Sequence, residues 1–281
     1  MTTTEDEADS LGCCARCRAE WSLSIFDKYE FNNKEVDFAA SFQPKGLVIK
    51  ISKLTLVCWT IASMAQDLID KIPDYNIFWL AWLTVWALLL SVMYLVCSFL
   101  CTVTGTSEEP SLLVYVTWTL GSIACPGQLI VTILYWTIDH SLSGNKVTYI
   151  NSMLHGGVLI LVWIDALVIN RIPVRFRQVS LIMALALIYL LWTGIHSAFS
   201  IGNPNHTDRP DQDDDALYEA INWRERPVWT IIICSVILLM TLPIFFLFWA
   251  ASAYGGGYRF DNGLRRHKSF KTSSIIGAMG T

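Results

Sequence analysis

"YNIFWLAWLTVWALLLSVMYLVCSFLCTVTGTS", Tyr75 to Ser107, runs for 33 residues without a charged side chain. The hydrocarbon core of a bilayer is about 30 Å thick, and a helix of about 20 predominantly apolar residues crosses it. One crossing plus loop fits this stretch. Two others match it: Pro110 to Ile138, uncharged for 29 residues, and Pro227 to Tyr258, uncharged for 32. A fourth crossing starts near Val147 and carries His155 and Asp165, and a fifth runs from Gln178 to about Phe199 with His196 near its end. The first, roughly Gly46 to Ile69, bears Lys50 and Lys53 at its start and Asp67 near its end. Long lysine stems snorkel to the membrane interface, which makes those two lysines compatible with a span.

Composition points the same way. The 281 residues are 53% hydrophobic and only 16% charged, outside the usual range of a soluble domain. Twelve Trp, ten Tyr and thirteen Phe supply amphipathic rings for bilayer interfaces and for helix packing. The expected fold is all-α: a polytopic membrane bundle of six transmembrane helices. Residues 1–45 are expected to form a cytosolic segment, 46–254 the membrane domain with an external acidic loop at 200–226, and 255–281 a basic cytosolic tail. No internal repeat and no inverted pair of Gly/Pro-broken spans stands out, which weakens a transporter reading.

Orientation follows from Lys and Arg, which stay on the cytosolic side. Six spans put both termini together. Thirteen loop Lys and Arg residues fall on the terminal side, among them Arg16, Arg171, Arg175 and Arg265, against five on the other. The spare five include Arg209, Arg224 and Arg226, which share their loop with seven acidic residues. Both termini are therefore expected in the cytosol. The sequon at Asn205-His206-Thr207 then lies outside, where glycosylation occurs. The first 40 residues are polar and acidic with no hydrophobic core, so no cleavable signal peptide is expected.

None of the eight cysteines falls in an outside loop, which argues against disulfides. Cys13, Cys14 and Cys17 form a cytosolic cluster, "CCARC". It suits reversible palmitoylation, which adds membrane affinity to a neighbouring segment. Zinc suits it less, because a fourth ligand at familiar spacing is missing. Unmodified thiols in a tail fit as well. In the external loop "DQDDD" lacks the alternating ligands and central glycine of a calcium loop, so a solvated acidic turn is the better reading.

"INSMLHGGVLILVWID", Ile150 to Asp165, poses the chemical question. An ionisable imidazole inside a span must face the bundle or a water-filled pocket. Asn151, Ser152 and His155, at spacings of three and four, share one helical face. His155 lies about nine residues into the fourth span, and Thr84 eight residues into the second if that helix begins near Asn76, so the two sit at similar depth. A threonine hydroxyl is a poor nucleophile until a base takes its proton, and histidine suits that task near neutral pH. On pattern alone, bundle packing stands ahead of catalysis for such a pair, and a zinc site from His140, His155 and His196 ranks lower still for want of ligand spacing. Asp165 is expected about 80° round the helix from His155 at 100° per residue, too far to orient it, and paired with Arg171 or Arg175. Gly156 and Gly157 would let a neighbouring helix approach closely.

At these residues the chain resembles the rolling stone-like proteins, within the superfamily of androgen-induced and androgen-dependent membrane proteins. The resemblance is spread over about residues 43 to 258 and is carried by "WLTVW" at 82–86, "MLHGGV" at 153–158, "RIPVR" at 171–175 and "LYEAINWRERP" at 217–227. The androgen-induced branch resembles a set of threonine hydrolases that cleave fatty acid esters of hydroxy fatty acids within the membrane. By motif, its threonine falls on Thr84 and its histidine on His155. The rolling stone branch, to which this chain looks closer, is associated with myoblast fusion in insects. The chain departs from that branch at Val85, where Asn often follows the threonine, and at Asn222, where Asp often precedes the tryptophan.

Two functions are thus expected. One is an intramembrane lipid esterase with Thr84 and His155 catalytic, Asn151 or Ser152 orienting the substrate, and no cofactor. The other is a non-enzymatic membrane protein of cell fusion or membrane organisation. Both readings imply membrane lipids as partners, no nucleic acid, unknown protein partners, and residence in the plasma membrane or endoplasmic reticulum.

Overall fold

The computed structural model describes residues 46–105, 111–140, 147–172, 174–201, 216–218 and 220–255. Asn205, the cysteine cluster at Cys13, Cys14 and Cys17, and the basic tail beyond 255 lie outside these. Among the described residues, six helices are long and apolar enough to cross a membrane: α1 (Leu47–Pro73), α2 (Leu83–Thr104), α3 (Leu112–Ile138), α4 (Tyr149–Ile169), α5 (Phe176–Ala198) and α6 (Pro227–Ser252). The chain is a multi-pass, all-α integral membrane protein. Among the described residues there is no β-strand, only an isolated bridge between Tyr218 and Ile221.

Helices satisfy their own backbone groups, which is what lets such apolar sequence cross lipid. With hydrocarbon as the solvent, the outward faces stay apolar: Leu187, Ile188, Leu191 and Ile195 on α5 and Ile231, Val236 and Leu239 on α6 are exposed. Polar groups turn inward instead. α3 is the centre, packed against α2, α4, α5 and α6. An apolar 18-residue stretch of it is 56% buried, against 22% for α1, whose main contacts among the described residues are with α2, α4 and the turn that follows it. Leu88, Leu95, Ala124, Val158, Val162, Phe245, Phe248 and Trp249 form the core between these helices.

The second span departs from the expectation of one continuous helix from near Asn76. A 3₁₀ turn, Asn76–Ala81, comes first, and α2 starts only at Leu83. Trp79 and Ala81 in that turn are buried, and the Trp79 indole N–H donates to Asp67 Oδ2 at 2.8 Å, folding the turn back on α1. Thr84 therefore sits in the first turn of α2 rather than eight residues inside a helix.

Three π-turns among the described residues are the other departure. They span Tyr135–Asp139 at the end of α3, and Met153–Gly157 and Ile164–Ile169 inside α4. A π-turn holds one extra residue and re-aims the side chains after it, and such turns are frequent at functional sites. Val158 N–H reaches back to the Met153 carbonyl, and Asn170 N–H to that of Asp165. Angles counted at 100° per residue do not carry across two such turns, so the expected angle between His155 and Asp165 does not apply.

Candidate functional site

Asp165 and Lys53 each have 1% side-chain exposure and face each other with Lys53 Nζ 3.5 Å from Asp165 Oδ1. Lys53 donates to Ser98 Oγ and Thr102 Oγ1, both at 2.7 Å, and to the Ser98 carbonyl at 3.1 Å. The other carboxylate oxygen accepts from Tyr94 at 2.8 Å, Ser98 at 2.6 Å and Asn170 at 2.8 Å. This cluster joins α1, α2 and α4. Two expectations fall with it: Lys53 does not snorkel outward, and Asp165 pairs with Lys53 rather than with Arg171 or Arg175. The physical reason is partner count, since two charges buried together with several hydrogen bonds each avoid the cost of an isolated buried ion. Arg175 instead lies over the Trp118 ring, 4.9 Å from its centroid, and Arg171 is exposed.

At the opposite end of the bundle the polar groups are arranged otherwise. His155 is buried in the first π-turn of α4, and its ring lies flat on Tyr135 with centroids 3.5 Å apart and planes 2° from parallel. The neighbouring Trp136 indole N–H donates to the His155 carbonyl at 3.0 Å. Among the described residues, His155 Nδ1 is buried with no hydrogen-bond partner. Such an orphaned polar atom costs free energy and calls for an explanation. His140 packs near the same ring, 5.9 Å from Tyr135, and edge-on to Trp136 at 5.2 Å.

α2 packs against the turn that carries His155. In its first turn the Thr84 hydroxyl has no hydrogen-bond partner among the described residues, although most span hydroxyls bond the carbonyl four residues back, as Ser91, Thr117 and Thr132 do. That carbonyl, Leu80 O, is occupied by the Trp86 indole N–H at 2.7 Å. Thr84 and His155 are not hydrogen-bonded to each other. Ser152 donates to the Thr148 carbonyl at 3.0 Å, and the Asn151 N–H is capped by the Thr148 hydroxyl at 3.1 Å, so Thr148 engages both positions expected to orient a substrate. His196 sits edge-on to Trp192, 5.8 Å away. Among the described residues no three His, Cys, Asp or Glu side chains gather closely enough to hold a metal.

Around the start of α2 the structure assembles residues far apart in sequence. Tyr218, before α6, accepts from the Leu83 N–H at 3.1 Å and meets the Trp82 ring edge-on at 5.4 Å. Tyr189 and Trp192 of α5 donate to the Ala81 carbonyl at 2.9 and 3.3 Å. Trp223 donates to Thr193 at 3.1 Å, and Arg224 to the Ser197 carbonyl at 2.9 Å and to Ser200 Oγ. The stretches "WLTVW" and "LYEAINWRERP" thus meet. Asn222 Oδ1 accepts from the Arg224 and Glu225 N–H groups at 3.1 and 2.9 Å, a role an aspartate would fill equally.

The glycines beside His155 do not act as expected. A Cβ on Gly156 would meet nothing within 4 Å, and one on Gly157 would strike Met153 of the same helix. Close approach occurs at Gly121 instead, where a Cβ would lie 2.9 Å from the Tyr94 ring.

Residues that sequence reasoning passed over are Tyr135, Trp136 and the partners of Lys53. A signal for the latter existed: Tyr94, Ser98 and Thr102 recur at every fourth position of α2, one polar stripe on an apolar helix. Nothing comparable marked Tyr135. Comparison with family models, with curated proteins and with solved structures returned no match.

Proposed function

We propose that this chain is an intramembrane hydrolase of fatty-acyl esters, with Thr84 as nucleophile and His155 as its base. One observation carries the reading: the Thr84 hydroxyl and the His155 Nδ1, on two elements packed together, both lack hydrogen-bond partners among the described residues, in a bundle where most hydroxyls are paired. The resemblance of "WLTVW" and "MLHGGV" to a threonine hydrolase family supports the same two residues.

In the reaction, the Thr84 oxygen attacks the ester carbonyl as its proton passes to a His155 ring nitrogen. The tetrahedral intermediate expels the alcohol, which takes that proton. Water then attacks the acyl-threonine with His155 again as base, releasing the fatty acid and restoring Thr84. Water is the one co-reactant that these steps consume. The lipid reaches the pair sideways from the bilayer, and both termini lie in the cytosol by the distribution of Lys and Arg.

Purified protein in liposomes that contain a fatty-acyl ester tests this by release of free fatty acid. Hydrolysis by the native chain, lost in Thr84→Ala and in His155→Ala while both variants keep their folded helix content, is the expected result. An inactive native chain, or activity that survives in either variant, overturns the reading.

A further inference from the structure

A histidine base is ordinarily held in place by a hydrogen bond from its second ring nitrogen to a carboxylate or carbonyl, which fixes ring orientation and tautomer. Among the described residues His155 lacks this device: its Nδ1 is buried without a partner there, and Asp165 is committed to Lys53, Tyr94, Ser98 and Asn170. What holds the imidazole is aromatic. Tyr135 lies parallel to it, with ring centroids 3.5 Å apart and planes 2° from parallel, face to face in van der Waals contact, and Trp136 grips the carbonyl of the same residue at 3.0 Å. Both grips depend on π-turns. Tyr135 opens one at the end of α3 and His155 lies within another in α4, so consecutive residues of one helix clasp ring and backbone of the other.

We infer that Tyr135 is the positioning residue of His155, its ring standing in for the orienting carboxylate, with Trp136 fixing the turn beneath. This rests on the hydrolase reading for its catalytic consequence, but the positioning itself does not. The ring is what matters: Tyr135→Phe keeps the stacking face and Tyr135→Leu keeps only apolar volume. A residue that merely filled space would tolerate leucine.

The test follows the ring protons of His155 by NMR in nanodiscs, with ¹³C-labelled histidine and His155→Gln for assignment, alongside hydrolysis of a fatty-acyl ester. The stacked tyrosine shifts those resonances upfield. That shift is expected to persist in Tyr135→Phe and to vanish in Tyr135→Leu. In the same pair kcat stays near the native value in the first and falls roughly 10²-fold in the second with KM unchanged, the size of effect that misplacing a reacting group by an ångström produces. Trp136→Phe, which removes only the indole hydrogen bond, provides a milder variant should Tyr135→Leu fail to fold, with a partial loss of the shift. An upfield shift that survives in Tyr135→Leu, or a kcat equal in the leucine and phenylalanine variants, overturns the inference. A native chain that shows the Tyr135-dependent shift but no hydrolysis overturns the hydrolase reading and leaves the positioning role standing.

Discussion

Two polar regions sit in this apolar bundle, and they are built on opposite terms. Around Asp165 every strong donor and acceptor of the ion pair is met: Lys53 with three oxygens besides its carboxylate, and Asp165 Oδ2 with three donors. Around His155 the imidazole leaves a nitrogen unmet among the described residues and is held by a ring, and on α2, which packs against that turn, the Thr84 hydroxyl has no partner among the described residues. In hydrocarbon an unmet polar group has no water to fall back on; the ion pair meets this demand throughout, although the neighbouring Asn170 Oδ1 does not. The paired region is a clamp on α1, the least buried span; the unpaired one is where the proposed chemistry is placed.

The two regions should respond most differently at His155. In His155→Ala the rate of ester release should fall roughly 10²- to 10⁴-fold, the contribution of a positioned base, while thermal unfolding in detergent moves little. The reverse pattern, a destabilised but active chain, would make His155 the structural residue of the two. Asp165→Ala should do the opposite. It strands Lys53 in the bundle, a loss of about 3–5 kcal/mol by denaturant unfolding, and Lys53→Met combined with Asp165→Asn should restore much of it. A double variant no better than the single one would remove the ion pair from the account of α1.

Smaller effects sharpen the picture. Gly121→Ala places a Cβ 2.9 Å from the fully buried Tyr94 ring, which cannot retreat without leaving Asp165, so a loss of about 1–3 kcal/mol is expected. Gly156→Ala, beside His155, meets open space and should be neutral or add up to about 1 kcal/mol of helix stability. Equal outcomes at the two glycines would contradict the packing described for both.

Much of the fold was legible in the sequence because lipid imposes a coarse and repeated signal: six long apolar stretches, with charge confined to their ends. What escaped were interruptions inside those stretches. The start of α2 is displaced to Leu83 by a 3₁₀ turn that Asp67 and Trp79 hold, and no periodicity announces it. The π-turns are equally silent, since one extra residue leaves hydropathy unchanged while rotating everything beyond it. That is why the partner of Asp165 was misjudged from α4 alone: the answer lay in the Tyr94–Ser98–Thr102 stripe and in a lysine at the start of another helix. Thr84 and His155 were visible as residue types that a span does not need. Tyr135 was one ring among many.

The claim on which the rest depends is that Thr84 is an activated nucleophile. Membranes carrying the native chain, Thr84→Ala and His155→Ala should be treated with a fluorophosphonate probe and the modified peptide mapped by mass spectrometry. The account predicts a label on Thr84 in the native chain, absent from Thr84→Ala and strongly reduced in His155→Ala. A native chain that takes up no label on Thr84, or labelling undiminished without His155, would contradict it.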